Sequence, residues 1–104
     1  MGKEYSVKIS DVFLHQLDEL NIRIGADNFK YFMMIHDFIY DHLERLAERP
    51  YLYPLFTSNI RKMALPKFKI NIYYGINENE KVIEVIGMYS FKQEQTEKKI
   101  CRSL

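Results

Sequence analysis

The sequence predicts an α+β fold with the element order β-α-α-β-β-β, in which a helix hairpin packs on a mainly antiparallel sheet. Three observations lead to this prediction. Apolar and polar residues alternate over residues 4–10, apolar residues recur at helical spacing over residues 11–48, and alternation returns from residue 60. Because a period of two is typical of strands and one of 3.6 is typical of helices, we expect one strand, then two helices, then three strands.

The first strand and the first helix are predicted within residues 4–25. Tyr5, Val7 and Ile9 alternate with polar residues over Glu4–Ser10, which indicates a strand with one buried face. Ser10 or Asp11 offers an oxygen for the N-cap of a helix. The apolar stripe of that helix has spacings of four, three and four residues and consists of Phe13, Leu17, Leu20 and Ile24. Gly25 ends this first helix.

The second helix is predicted from about Phe29 to Glu48, after an N-cap at Asp27–Asn28. Pro50 closes it, and Pro54 keeps the next segment extended. The short turn between the helices favours an antiparallel hairpin. The core stripe of this helix is Phe32, Ile35, Ile39, Leu43 and Leu46, widened by Met33, Tyr40 and Ala47.

Three further strands are predicted between residues 60 and 91. Ile60–Leu65 is followed by Pro66 and by a strand in which Phe68, Ile70, Ile72 and Tyr74 share one face, so that Lys67 and Lys69 point the same way. A turn at Asn77–Glu80 leads to a last strand over Val82–Phe91. Apolar residues of both parities in the last strand predict an interior strand that is covered on both faces.

Composition and charge limit the class of protein. The chain has 104 residues, of which 47% are apolar and 28% are charged, which excludes a disordered chain, a collagen-like repeat and a disulfide scaffold. We expect one domain over residues 1–104, with the polar segment 93–104 as a mobile tail or a short helix. The net charge of +1 divides into −3 over residues 1–59 and +4 over residues 60–104.

Several classes of site have no support in the sequence. There is no Gly-rich phosphate loop, no G-x-S-x-G motif and no C-x-x-C motif. His36 and His42 are six residues apart, which rotates them by about 240° around a helix, so they cannot share a metal ion. We therefore expect no metal and no other cofactor. No apolar run is long enough to cross a membrane, and the lone Cys101 favours a reducing compartment, so we expect a cytoplasmic protein.

The order of the elements and several of their residues resemble the RelE/ParE family of toxins from type II toxin–antitoxin pairs, also described as plasmid stabilisation proteins. The resemblance lies in the opening strand with Tyr5, Val7 and Ile9, in the helix end with Leu43, Leu46 and Pro50, and in Arg61 ahead of the strand Lys67–Tyr74. The closing strand, Val82–Lys92, stands where the family has an apolar run, a His or Tyr, and an Arg. The resemblance covers residues 4 to about 93.

This resemblance implies a growth inhibitor held inactive by a cognate antitoxin, without a cofactor and without a membrane. In one branch of the family the toxin enters the ribosome and cuts mRNA, which is the function we expect here. In the other branch the toxin is a non-enzymatic poison of DNA gyrase, and this alternative stays open. A non-toxic binding module on the same fold is a further alternative.

The candidate site residues follow from the chemistry of metal-free RNA cleavage. Attack by the 2′-OH needs proton transfer and stabilisation of the charge on phosphorus. The resemblance suggests Arg61, Tyr89 and Lys92 as catalytic residues, with Tyr89 and Lys92 where the family has its His and its Arg. Lys62, Lys67 and Lys69 are candidates for binding the nucleic acid, because Arg61–Lys69 holds four cations and no acid. We expect the sheet face opposite the helices to present all six residues to an anionic target. The alternatives are an Arg61 that bridges to a carboxylate, a Tyr89 in the core, and lysines that are merely solvated.

Overall fold

The computed structural model describes residues 4–91. Lys92, Cys101 and the predicted tail 93–104 lie outside the described residues. The chain forms a first strand β1 (Ser6–Ile9), two helices α1 (Asp11–Ile24) and α2 (Phe29–Glu48), and four strands, which are β2 (Leu55–Thr57), β3 (Ile60–Leu65), β4 (Ile70–Asn77) and β5 (Val82–Ser90). The predicted α+β fold is confirmed, with β2 as one additional short strand.

Both helices begin and end close to the predicted residues. Ser10 is the N-cap of α1, and its hydroxyl oxygen accepts a hydrogen bond from the Phe13 N–H at 3.1 Å. Gly25 ends α1 with a φ of 90°, a conformation that suits glycine. The side chain of Asn28 does not cap α2 as predicted, because its amide donates backwards to the Ile24 carbonyl at 3.2 Å. Asn28 therefore stabilises the end of α1.

The five strands form one mixed sheet in the order β1-β5-β4-β3-β2. β1 pairs with β5 in parallel, and the other three pairs are antiparallel. Both helices pack on one side of this sheet. The core between them contains the predicted stripes of both helices and, from the strands, Met63, Leu65, Ile70, Ile72, Tyr74, Ile83, Val85 and Met88. This side of the sheet is called the helix side below, and the opposite side is called the open face.

A change of register in β5 explains why its apolar residues occupy both odd-numbered and even-numbered positions. Tyr73 lies opposite Gly87 and Tyr74 lies opposite Val85, so Ile86 is an extra residue, as in a β-bulge. The extra residue returns Met88 to the helix side, where Ile83 and Val85 also lie. β5 is an interior strand, as predicted, but within residues 4–91 helices cover only one of its faces. The prediction of two covered faces is therefore wrong.

The connection between β3 and β4 also differs from the prediction. Pro66–Phe68 forms one turn of 3-10 helix, and Lys69 follows in the left-handed conformation with a φ of 54° and a ψ of 49°. The strand β4 begins only at Ile70, so Lys67 and Lys69 do not share a strand face. The reason is that Pro66 supplies the fixed φ of a helical turn and cannot donate to the β-ladder. Phe68 nevertheless packs against the main core, from the turn.

Candidate functional site

The open face of the sheet carries a row of three aromatic rings. The Phe56 and Tyr73 rings meet edge to face with centroids 5.0 Å apart, and the Tyr73 and Tyr89 rings lie 5.9 Å apart at an angle of 59°. Tyr73 is fully buried in this row, and Ile60 and Ile86 complete a small second cluster there. The outer rings, Phe56 and Tyr89, are only half-buried. They are therefore the parts of the row that a ligand can contact.

Lys62 lies beside this aromatic row. It is opposite Tyr73 in the β3–β4 ladder, and its Nζ is 5.5 Å from the centre of the Phe56 ring. An ammonium group at that distance from a ring is in the range of a cation–π contact. The open face therefore combines apolar rings with a positive charge, which is the combination that recognises the bases and phosphates of single-stranded nucleic acid.

Gly87 makes room for Tyr89 on the open face. A Cβ at Gly87 would lie 3.2 Å from Cε2 of the Tyr89 ring and 3.3 Å from the Gln16 side-chain oxygen. These contacts are tighter than ordinary van der Waals contacts. Glycine at this position therefore lets the Tyr89 ring lie close to the backbone of β5.

A polar pocket of about 170 Å³ adjoins Tyr89 between α1 and the end of β5. Its lining includes Gln16 and Arg23 of α1 together with Met88, Tyr89 and Ser90. Gln16 positions this end of β5, because its oxygen accepts a hydrogen bond from the Met88 N–H at 2.7 Å. Arg23 and Glu19 thus add an exposed cation and an exposed acid to a pocket that includes Tyr89, and the sequence reasoning missed both. A cation on the first helix gives no sequence signal of proximity to the last strand.

Arg61 lies on the other side of the sheet from Lys62. Alternation along β3 places it with Met63 and Leu65, and it lies opposite Tyr74. Its Nη1 donates to the Tyr53 carbonyl at 2.7 Å, and its guanidinium lies 4.8 Å from the centre of the Tyr51 ring. Arg61 therefore ties β3 to the segment that follows α2, through a backbone carbonyl and a ring rather than through a carboxylate.

Tyr74 completes the packing beside Arg61. Its hydroxyl donates to the Pro50 carbonyl at 2.9 Å, which also fixes the segment after α2. Burial raises the pKa of Tyr74 to about 12, and the nearby charge of Arg61 opposes this rise only in part. The phenol therefore stays protonated at neutral pH and serves as a structural hydrogen-bond donor.

The remaining predicted residues are distributed around the molecule. Lys67 is exposed in the 3-10 turn, with its Nζ 5.1 Å from the Phe38 ring of α2. Lys69 is exposed at the end of the sheet, where its carbonyl accepts a hydrogen bond from the Phe91 N–H at 2.9 Å. Lys92 lies outside the described residues.

The prediction that one sheet face presents all six candidates is therefore wrong. The structure places Lys62 and Tyr89 on the same open face, Lys62 beside the Phe56 ring and Tyr89 beside the Tyr73 ring. Arg61 lies on the helix side and Lys67 lies in a turn against α2. The physical reason is that adjacent strand residues point to opposite faces and that Pro66 interrupts the strand between Leu65 and Ile70.

Two other kinds of site have no basis in the described part of the chain. Neither α1 nor α2 combines the length and the apolar character that crossing a membrane requires. Over residues 4–91, no three side chains of His, Cys, Asp or Glu come together in a way that could hold a metal ion.

Comparison with solved structures places the fold among RelE toxins. The isolated RelE toxin of E. coli superposes with a TM-score of 0.64 at 15% identity, over 96% of this chain and 99% of that chain. The toxin–antitoxin complex RelBE2 of Mycobacterium tuberculosis superposes with a TM-score of 0.57 at 13% identity, over 84% of this chain and 98% of that chain. No protein-family model and no curated protein matches the sequence. The chain therefore has a RelE-like fold, which at these identities is a statement about the fold alone.

Proposed function

We propose that this protein is the toxin of a toxin–antitoxin pair, and that it inhibits growth in the cytoplasm by ribosome-dependent cleavage of mRNA. The observation that carries the proposal is the open face of a RelE-like sheet, where Lys62 lies beside a row of aromatic rings that ends in Tyr89. Exposed rings stack on unpaired bases and a lysine neutralises phosphate, so this face suits a single RNA strand.

The proposed cleavage follows from the atoms that such a face can offer. The 2′-oxygen of one nucleotide bonds to the adjacent phosphorus, and the bond from phosphorus to the 5′-oxygen of the next nucleotide breaks. The 2′-proton passes to a group of the ribosome or to water, and the leaving 5′-oxygen gains a proton from the Tyr89 hydroxyl, so the products are a 2′,3′-cyclic phosphate and a 5′-hydroxyl. In this scheme Lys62 stabilises the charge on phosphorus, Tyr89 stacks on a base and donates the proton, and the ribosome holds the RNA in line.

Lys92 and Arg61 take different places in the proposal. Lys92 follows the described residues directly after Phe91 and is kept as a candidate for binding phosphate. Arg61 is assigned a positioning role, because its guanidinium is engaged by the Tyr53 carbonyl and the Tyr51 ring. Lys69 is kept as a candidate for binding nucleic acid at the end of the sheet. Lys67 is the least favourable of the lysine candidates, because it lies in the turn against α2.

Induced expression tests the proposed function. We expect growth to stop and transcripts to acquire new 5′ ends inside translated codons. Because stacking contributes about 1–3 kcal/mol per base, we expect Tyr89→Ala to weaken RNA binding by about five- to 150-fold and to relieve the arrest. Lys62→Ala should relieve it as well, and Lys67→Ala, which removes a cation from the turn against α2, should not.

Other outcomes of this experiment would support the alternatives. Arrest with broken DNA and intact transcripts would contradict mRNA cleavage and favour a poison of DNA gyrase. No arrest by the folded protein would favour a non-toxic binding module. If Tyr89→Ala, Lys62→Ala and Lys67→Ala all relieve the arrest equally, the open face has no special role.

A further inference from the structure

The edge of β5 is completed by a helix where its neighbouring strand ends. β1 pairs with β5 only as far as Ile9, and beyond that point two side chains take its place. The hydroxyl of Ser10, the N-cap of α1, donates to the Ile86 carbonyl at 2.8 Å. The Met88 N–H donates to Gln16 Oε1 at 2.7 Å. These side chains therefore continue the hydrogen bonding to β5 that β1 begins.

The hydroxyl of Ser10 serves α1 and β5 at once. Its oxygen accepts a hydrogen bond from the Phe13 N–H at 3.1 Å and thereby caps α1. A hydroxyl has one proton to donate, and a carbonyl can only accept. The Ser10 proton is therefore directed to the Ile86 carbonyl, and a single oxygen atom joins the first turn of α1 to the extra residue of β5.

These two hydrogen bonds belong to the bulged register of β5, in which Ile86 is the extra residue. Peptide groups alternate along a strand, and before the bulge the Val85 carbonyl points toward the start of α1, where it accepts a backbone hydrogen bond. In a regular strand, the next groups to point that way would be those of Gly87 and Tyr89. The bulge turns the groups of Ile86 and Met88 there instead. The two side chains therefore stabilise the bulged register and not the regular one.

The register of β5 decides where the Tyr89 ring lies. In the bulged register Tyr89 lies opposite Asn71 and packs against Tyr73 on the open face. A shift by one residue moves every side chain of a strand to its other face, so a regular strand would turn Tyr89 toward the helix side. The groups that hold the bulge therefore also hold the ring that is assigned to stacking on RNA.

We propose that Ser10 and Gln16 are positioning residues, which keep β5 in its bulged register and so hold Tyr89 on the open face for contact with RNA. Both act through the backbone of β5, so that the start of the first helix sets the position of a ring on the opposite side of the sheet. The hold on the register rests on the hydrogen bonds of α1, whereas its benefit for RNA binding rests on the proposed function.

Nuclear magnetic resonance of the full chain, with labelled glycine, tests the register directly. A Cβ at Gly87 would lie 3.2 Å from Cε2 of the Tyr89 ring, so one α-proton of Gly87 points at this ring. The chain has only four glycines, which makes their α-protons simple to assign. In the parent we expect a ring-current shift of the Gly87 α-protons that disappears in Tyr89→Ala.

Variants of Ser10 separate the cap of α1 from the bond to β5. Ser10→Asp keeps an oxygen for the Phe13 N–H, but an ionised carboxylate has no proton for the Ile86 carbonyl. Ser10→Thr keeps both roles of the hydroxyl. We expect Ser10→Asp to lose at least about half of the ring-current shift at Gly87 and Ser10→Thr to retain it.

Variants of Gln16 provide an independent test that leaves the cap of α1 untouched. Gln16→Leu removes the acceptor of the Met88 N–H and should also lose the ring-current shift at Gly87, whereas Gln16→Glu keeps an acceptor and should retain it. Asp18→Ala removes an exposed side chain from the same helix and is the matched control, which should leave Gly87 unchanged. If Ser10→Asp does not fold, Gln16→Leu still decides.

Binding of a short single-stranded RNA connects the register to the proposed function. The apparent affinity should fall in proportion to the fraction of chains in the bulged register, so a variant that keeps half of the Gly87 shift should bind about twofold more weakly. Because Ser10 and Gln16 act through the Tyr89 ring, their substitutions should cause no additional loss of affinity in a chain that already carries Tyr89→Ala.

Two results would overturn the proposal. If Gly87 keeps its full ring-current shift in both Ser10→Asp and Gln16→Leu, α1 does not hold the register. If these substitutions weaken RNA binding further in the Tyr89→Ala background, they do not act through Tyr89. If Tyr89→Ala alone leaves RNA binding unchanged, the benefit for RNA fails together with the proposed function, and the Gly87 shift still decides whether α1 holds β5.

Discussion

Replacement of Arg61 by alanine separates a positioning role from a role in contact with RNA. The substitution removes the hydrogen bond from Nη1 to the Tyr53 carbonyl, at 2.7 Å, and the contact with the Tyr51 ring, at 4.8 Å. A hydrogen bond of a charged group contributes about 1.5–3 kcal/mol and a partly exposed cation–π contact about 0.5–1 kcal/mol. Because Arg61 is half-exposed, solvent weakens both contacts, and we expect Arg61→Ala to lower the free energy of unfolding by about 2 kcal/mol.

The assay is equilibrium unfolding in urea, together with thermal unfolding. A loss of about 2 kcal/mol lowers the melting temperature of a domain of this size by roughly 10 °C and the urea midpoint by about 1 M. Arg61→Lys should recover part of the loss, because it keeps a donor but not the planar guanidinium. Lys69→Ala is the matched control, since it removes an exposed cation from the end of the sheet, and its stability should stay within about 0.5 kcal/mol of the parent.

One result would refute this reasoning. If Arg61→Ala unfolds at the same urea concentration as the parent and yet abolishes growth arrest, Arg61 contacts the target directly. The packing against Tyr51 and Tyr53 would then have no measurable effect on stability.

Two further predictions concern hydrogen bonds that hold the sheet. Burial raises the pKa of Tyr74 in the folded chain to about 12, above its ordinary value of 10.0. The unfolded chain therefore loses the proton first, and the free energy of unfolding should fall as pH rises from 10 to 12. Between pH 10 and 11 the free energy of unfolding should fall by about 1 kcal/mol more in the parent than in Tyr74→Phe. If the free energies of unfolding of the two proteins change in parallel with pH, the raised pKa of Tyr74 is contradicted. Gln16→Leu leaves the Met88 N–H without its acceptor and should cost about 1–3 kcal/mol in urea unfolding. Gln16→Glu keeps an acceptor oxygen and should cost less, so equal losses would show that packing, and not this hydrogen bond, is responsible.

The helices could be predicted from the sequence because their signals are long and consistent. The stripe from Phe32 to Leu46 spans four turns, and α2 indeed runs over Phe29–Glu48. β3 was predicted at Ile60–Leu65 and is found there. β2 was missed because it has three residues and directly follows Pro54, so that only its pairing with β3 defines it as a strand.

The direction of side chains was harder to predict than the strands themselves. In β3 the buried residues have both parities, because Ile60 lies in the small cluster of the open face while Met63 and Leu65 lie in the main core. Periodicity alone therefore did not decide which side Arg61 occupies. In β5 the extra residue Ile86 reverses the parity of all that follows, and nothing in its side chain signals this.

The extra residue in β5 also decides what the open face can do. With regular pairing through residue 86, Tyr89 would turn toward the helix side, and Met88 would lie beside Tyr73. The bulge instead returns Met88 to the core and places Tyr89 in the aromatic row. The end of β5 is held in this register by α1, because β1 stops at Ile9 and the Gln16 side chain takes over hydrogen bonding to the strand. The position of the candidate site thus depends on a helix residue that contributes no charge to it.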